Sequence, residues 1–436
     1  MKLQFYVFLP IILITTTFGE TTQDLEARFA QAKAEMAANN WASAESILQG
    51  IIADNEGYAP AYFELSIVAL KRDDLKSAQT NITRAIEFDP RNEEYRSEAE
   101  RVAALSGGMS RARRAYDAFE FDNSASEYEK VIAEYPNFAS AYFGLGLALT
   151  KSGGSRAAAG AFRDAIRLNP ESASYANALR RLVAEKYNEG NRLYNARDWE
   201  AAQESYESAI ELNPSFHPAY YRLARCFRNL DDTDMAMSTL DQALKIKPDY
   251  ITAHVEKGTI YRSENEFEKA EESYRRAISY DAKSDQAWVG LGAVLKRDRV
   301  SAAEEAFKTA IAANPKSSTA NEYLGELYSE QERWAEALDP LERAAALKRR
   351  DHRTAWRLAV VYNALEQYEE ARDAAKRSTD LRRNFEFAWF QKGIAEKALG
   401  NRQAALEAFR NAERGRDAAI RKSARYELDQ LTASPN

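Results

Sequence analysis

Three histidines, His217, His254 and His352, and one cysteine, Cys226, are the side chains best suited to metal ligation or nucleophilic work in this sequence. None of the histidines stands at a metal-ligand spacing from a second ligand, so a structural place on a helix is expected for each. A lone cysteine makes no internal disulfide. Asp231-Asp232-Thr233-Asp234 is the densest acidic run. Calcium needs several oxygens converging from a loop, whereas Asp and Thr ahead of a helix cap its free N–H groups, and capping is the role expected here. No HExxH, paired CxxC, Walker A, GxSxG or GxGxxG occurs. The common metal, nucleophile and phosphate-cradle chemistries lose their motifs. Gly107-Gly108 and Gly153-Gly154 follow no strand and read as turn glycines, and Asn81-Ile82-Thr83 spells a glycosylation acceptor inside a helical stretch. No catalytic residue, metal or cofactor is expected, and the chain is not read as an enzyme.

Charge excludes a further class. With 67 acidic against 60 basic residues and a formal charge of -7, the chain offers no field to attract a phosphate backbone, so nucleic acid is not an expected partner. The opening MKLQFYVFLPIILITTTFGE carries one Lys, an apolar heart from Phe5 to Ile14 and small residues at both cleavage-recognition positions. This is the pattern of a secretory signal peptide over residues 1–19, with an uncleaved anchor as the alternative. A periplasmic or extracellular protein without stable membrane insertion after cleavage is the expectation.

The elements that position these residues emerge from a repetition. WEAAQESYESAIELNP (199–214) returns as FEKAEESYRRAISYDA (267–282), setting Ala202 over Ala270, Tyr206 over Tyr274 and Ala209 over Ala277, a shift of 68 residues or twice 34. Between them Ala236, Leu240, Ala243 and Pro248 occupy the matching places. Two stretches spell the pattern almost fully: Tyr142, Leu145, Gly146, Leu149, Ala158, Phe162, Ala165 and Pro170, then Trp288, Leu291, Gly292, Leu295, Ala303, Phe307, Ala310 and Pro315. This resembles the tetratricopeptide repeat, a 34-residue pair of antiparallel helices. Extending the register gives eleven repeats, starting at Leu25, Ala59, Leu105, Ala139, Val183, His217, Ile251, Asp285, Ser318, His352 and Glu386.

The small positions test the register. The middle of every first helix carries Gly, Ala or Ser, from Ala32 and Ser66 through to Gly393, and the early part of every second helix carries Ala or Ser, from Ala44 to Ala405. Two helices approach closely only where the contact carries almost no side chain. Trp41, Phe121, Trp199, Phe267, Trp334 and Tyr368 then read as core fillers, and Pro90, Pro136, Pro170, Pro214, Pro248 and Pro315 as stops for second helices. The fold class expected is all-α, a right-handed superhelical solenoid of stacked antiparallel helix pairs.

Two insertions interrupt the period, EEYRSEAERVAA before Leu105 and ASYANALRRL before Val183, both with helical apolar spacing. The first is expected to stop at Ser106-Gly107-Gly108, a possible hinge; the second meets no breaker, so residues 173–196 are expected as one shared helix or as a decayed repeat's remnant. Pro340 inside a second helix calls for a kink or a late start. Residues 418–432 read as a capping helix with Ile420, Tyr426, Leu428 and Leu431 on its apolar side. The expected divisions are 25–104, 105–182, 183–417 and the cap.

In the family resembled, first helices line a concave face, their second, fifth, ninth and twelfth positions pointing into the groove. That resemblance implies a partner-binding lining of Phe63, Ile67 and Leu70, then Met109, Arg113 and Tyr116, then Phe143 and Leu147. Tyr187, Asn191 and Tyr194 follow, then Tyr221, Arg225, Arg228, Arg262 and Lys296, and finally Glu322, Glu326, Trp356, Phe387 and Phe390. Arg beside Tyr suits an extended peptide carrying carboxylates. The family's carboxylate clamp for chaperones is not reproduced, since Tyr187 and Asn191 are followed by Arg222, Thr252 and Glu256. The expectation is a non-catalytic scaffold binding a protein or peptide in an envelope or extracellular assembly; a carbohydrate or peptidoglycan binder and an accessory subunit of an enzyme encoded elsewhere are the rivals.

Overall fold

The computed structural model describes residues 18–433, with side chains from residue 23 onward. The expected leader lies outside the described residues except for Phe18 and Gly19, which open the first helix. Among the described residues there are 23 helices and no strand, in an N-terminal unit ending at Pro214 and a C-terminal unit beginning at Ser215. The N-terminal unit holds α1 (Phe18–Ala37), α2 (Trp41–Asp54), α3 (Ala59–Lys71), α4 (Leu75–Phe88) and α5 (Glu93–Asp117). It continues with α6 (Phe121–Glu134), α7 (Ala139–Lys151), α8 (Ser155–Leu168), α9 (Ala173–Asn195) and α10 (Trp199–Leu212). The C-terminal unit opens with α11 (His217–Asn229), α12 (Thr233–Ile246), α13 (Ile251–Ser263), α14 (Phe267–Tyr280), α15 (Asp285–Leu295) and α16 (Val300–Ala313). It closes with α17 (Ser318–Glu330), α18 (Trp334–Leu347), α19 (His352–Ala364), α20 (Tyr368–Leu381), α21 (Glu386–Ala398), α22 (Arg402–Glu413) and α23 (Ala418–Ala433).

Each odd helix packs along the even helix that follows it, and within each unit each pair packs on the next. The contact points are the small residues. Ala44, Ala78, Ser124, Ala158, Ala202, Ala236, Ala270, Ala303, Ala337, Ala371 and Ala405 are all fully buried. Opposite them the first-helix glycines leave room for a ring: a Cβ at Gly146, Gly292 or Gly393 would stand 2.5 Å from Phe162, Phe307 or Phe409. The turns between paired helices use one left-handed residue, such as Phe119 at φ 64 or Gly153 at φ 91. The turn after α15 lacks one, and that repeat is the 33-residue one.

In the C-terminal unit the odd helices also pack on one another, α13 with α15, α15 with α17, α17 with α19 and α19 with α21, while the even helices meet less closely, as where Arg377 of α20 donates to the Ala345 carbonyl of α18 at 3.2 Å. A stack is tighter on the side where its members meet, so the odd helices form the inner face of this unit.

Three expectations need correction. Ser106-Gly107-Gly108 is no helix stop, because α5 runs unbroken from Glu93 to Asp117. Gly108 is a contact point instead, where a Cβ would lie 2.6 Å from Val131 Cγ2 of α6. Nor does Pro340 delay its helix, since α18 starts at Trp334 and carries the buried proline inside it. Tyr426 points to solvent at 62% exposure, leaving Ile420, Leu428 and Leu431 to cover Phe409 and Ala412 of α22. The second insertion does continue into one shared helix, α9.

The shared helix α5 serves two neighbours. Its first half buries Tyr95 and Val102 against α3 and α4, and its second half buries Leu105 with Val131, Phe138 and Ala141. Twelve inserted residues displace the following pair by about 18 Å along the helix axis. That offset brings Asp73, in the α3–α4 turn, against α7 and the α8–α9 junction. Its carboxylate accepts from the Ser140 backbone N–H at 3.0 Å, from Asn169 Nδ2 at 2.9 Å and from the Tyr175 hydroxyl at 3.1 Å. Burial first, opposed by the Ser140 hydrogen bond and aided by the charge of Asp73, raises the Tyr175 phenol to about 12.

Candidate inner-face site

In the N-terminal unit the proposed lining meets the chain's own helices. Phe63 stacks on Tyr95 of α5 at 4.8 Å, and Leu70 and Met109 join the cluster around Leu105, while Ile67 is half-buried. Phe143 lies 4.7 Å from Tyr175 and 5.9 Å from Phe162. Arg113 is exposed, bonded to Asp117 at 3.0 Å, with its guanidinium 5.9 Å from the ring of Tyr116, which meets Phe121 edge-on. On α9 Tyr187 tilts against Tyr206 at 5.7 Å, Asn191 accepts the Tyr206 hydroxyl at 2.9 Å and Tyr194 meets Trp199. Leu147 is half-buried.

The C-terminal unit brings its lining together differently. Tyr221 meets Tyr250 edge-on at 5.9 Å and carries the Arg225 guanidinium 5.8 Å from its ring centre; burial pushes its phenol up. Arg228 pairs with the buried Glu256 of α13. Lys296 donates to Glu326 at 2.9 Å and Glu330 at 2.6 Å, and Arg357 of α19 to Glu322 at 2.7 Å and Glu326 at 2.6 Å. These charges form a network that already neutralises Lys296. Trp356 and Phe387 gather with Phe385, and Phe390 packs on Phe409.

Between α13, α15 and α17 a depression of about 470 Å³ opens. Val255, Thr259 and Arg262 enter it from α13, and Gln286, Val289 and Ala293 from α15. Its floor is Tyr274, whose hydroxyl sits 3.2 Å from Thr259 Oγ1. Gly290 makes room for that ring, since a Cβ there would lie 2.2 Å from it. The Arg262 Nε is buried with no acceptor among the described residues. Lys316, Ser317, Ser318, Thr319 and Tyr323 complete the rim with Asp285, whose carboxylate accepts from Asn314 Nδ2 at 3.0 Å. An arginine fork beside a hydroxyl pair and short apolar walls suits a chain segment bearing a carboxylate.

The α13 and α15 residues occupy the fifth, ninth and twelfth, and the second, fifth and ninth, positions of their repeats. Of this set the sequence singled out Arg262 alone. Thr259, Gln286, Val289 and Ala293 follow the same positional rule but have no chemistry to draw notice. Tyr323 and Lys316 lie off it.

The histidines have packing partners. His254 Nε2 lies 2.9 Å from the Pro248 carbonyl, His217 meets Tyr250 edge-on and His352 meets Phe385. Burial lowers the pKa of all three. Asp232 caps α12 by accepting from the Met235 N–H at 3.1 Å. Among the described residues no three His, Cys, Asp or Glu side chains gather where a metal would fit.

Residues 182–406 match the family described as the cilia and flagella-associated protein 70 C-terminal domain, and residues 109–173 match the tetratricopeptide repeat. Anaphase-promoting complex subunit 3 of Schizosaccharomyces pombe is 28% identical over 153 residues, 35% of this chain and 23% of that protein. Small glutamine-rich tetratricopeptide repeat-containing protein 2 of Mycosarcoma maydis is 28% identical over 105 residues, 24% of this chain and 30% of that one. The match thus spans under a third of either relative's length. Among solved structures, yeast Tom70 is 14% identical with a TM-score of 0.41, covering 94% of this chain and 96% of its own. PilF of Pseudomonas aeruginosa is 21% identical with a TM-score of 0.43, covering 50% and 96%.

Proposed function

The chain belongs to the tetratricopeptide-repeat family, and from that premise we propose that it is a non-catalytic adaptor holding an extended segment of a protein partner on the inner face of its C-terminal unit. One observation carries the reading. The depression between α13, α15 and α17 presents Arg262, whose buried Nε has no acceptor among the described residues, beside the Thr259 and Tyr274 hydroxyls. A buried guanidinium N–H without an acceptor is costly to leave so, and a carboxylate from a partner would relieve it.

The neighbouring cations suit the role less well, because Arg228 and Lys296 are paired within the unit. Anaphase-promoting complex subunit 3 is by its name a subunit of a larger complex. An assembly role of that kind is proposed here too, in an exported setting suggested by the apolar N-terminal stretch.

A photo-crosslinking probe at Val289, in the depression, tests this against a matched probe at Glu305, exposed on α16. One discrete partner should be captured from Val289 and lost when Arg262→Ala is added. Equal capture from both probes, or capture indifferent to Arg262, would remove the inner-face reading.

A further inference from the structure

Large apolar side chains that remain exposed in this chain are not scattered. In the C-terminal unit they are Met235, Ile246, Tyr280, Leu347, Leu381 and Tyr426, and four of these six occupy one repeat position, the last residue of an even helix. The ladder runs Ile246, Tyr280, Ala313, Leu347, Leu381 in five consecutive repeats. Each is followed by the loop that leads to the next pair.

Those loops carry the second observation. The four after Tyr280, Ala313, Leu347 and Leu381 hold seven cations and two acids between them, at residues 281–284, 314–317, 348–351 and 382–385. Four corresponding loops of the N-terminal unit, at residues 55–58, 89–92, 135–138 and 169–172, hold one cation and three acids. Among these loops the basic ones are those after Tyr280, Ala313, Leu347 and Leu381, while the loop after Ile246 carries one cation and one acid. Both acids of that edge are engaged in turns, Asp281 accepting from the Lys283 N–H at 2.9 Å and Asp351 from the Arg353 N–H at 2.9 Å. The cations are largely unspent. Lys283, Arg349, Arg350 and Arg383 are exposed and form no ion pair among the described residues, and neither does Lys316, which also borders the inner-face depression.

The two features meet around Leu347. Leu347 lies open beside Lys348, Arg349, Arg350 and Asp351, and the motif repeats 34 residues later as Leu381-Arg382-Arg383. From this we infer that the loop edge of the C-terminal unit is a second docking surface, for an extended acidic peptide carrying an apolar side chain at about every third residue. The spacing follows from geometry. Touching odd helices of successive repeats stand about 10 Å apart, the even-helix ends step by at least that, and an extended chain rises about 3.3 Å per residue, so contacts fall no closer than about every third residue. One apolar contact and one or two charge pairs then fall on each repeat.

A bilayer is less well served, because side chains only 37–44% exposed are half sunk between helices rather than raised as anchors. A nucleic acid would satisfy the cations and leave the apolar ladder unfilled.

The experiment uses the full chain and a fluorescein-labelled dodecapeptide of repeating Glu-Glu-Leu, read by anisotropy. Binding should weaken roughly tenfold when every Leu of the peptide becomes Ser and be lost for Lys-Lys-Leu, controls that leave the protein untouched. The variant Arg349→Glu/Arg350→Glu/Arg383→Glu should lose roughly tenfold in affinity, and Leu347→Ser/Leu381→Ser several-fold, with unchanged helical circular dichroism. Arg262→Ala should leave this binding unchanged, which separates failure here from failure of the inner-face reading. Equal binding of the Ser and Leu peptides would overturn the proposal, as would capture of phosphatidylserine vesicles or oligodeoxythymidylate without capture of the peptide.

Discussion

At Gly292 a single added carbon would stand 2.5 Å from the Phe307 ring, which is buried in a core cluster with Tyr274, Leu291 and Leu324. Gly292→Leu should therefore destabilise the chain by about 3 kcal/mol through overpacking, read as a lower urea midpoint with an unchanged slope. Positions like this were legible in the sequence, because close approach of two backbones leaves one signature, a residue with almost no side chain. Charged partners were not. Glu304 accepts from Arg333 Nη1 at 2.7 Å and from the Tyr328 hydroxyl at 3.0 Å, both across a repeat boundary that periodicity says nothing about, and pairs with Lys308 one turn along its own helix at 2.7 Å. The Arg333 hydrogen bond foremost holds its pKa down at about 2, from an ordinary 4.5. A folded value below the unfolded one gives stability that is complete above about pH 4.5 and lost as pH falls toward 2. Melting temperature against pH should show a loss in that window that Glu304→Gln flattens; an unchanged profile would deny the network any part in stability.

The elements show where sequence reading reaches its limit. Every helix pair was foreseeable from the 34-residue register, and so was α9 as one long helix. The break at Gly107-Gly108 was not a break, because the contact with Val131 needs the glycine within a continuous helix. Local propensity disfavoured the helix there, and tertiary packing won. The Asp73 link was also out of reach, since its partners lie 67 to 102 residues away and meet it only through the offset that α5 imposes. Asp73→Ala should cost roughly 2 kcal/mol, from one charged acceptor serving three donors. Hydrogen exchange should quicken at the first turn of α7 and near Tyr175 while α1 and α2 stay as protected as before. Uniform quickening across the unit would mean that Asp73 supports a general fold and no specific latch.

For the whole molecule, the repeat leaves the described chain as helix pairs, shared helices and a cap, and its chemistry lies in surfaces. Family and fold were open to the sequence because hundreds of residues obey one rule. The choice among surfaces was not, since a lining residue looks alike in sequence whether it faces a groove or a neighbouring helix. Phe63 and Phe143 illustrate this, one stacked on and the other tilted against a tyrosine of a shared helix. Arg262 carries the account because its surroundings stay open. The most direct measurement is hydrogen–deuterium exchange of the chain with and without the partner captured from Val289. The account predicts added protection over 255–262, 286–296 and 316–323, with the outer helices α14 and α16 unchanged. Protection on those outer helices, with the inner segments unmoved, would contradict it.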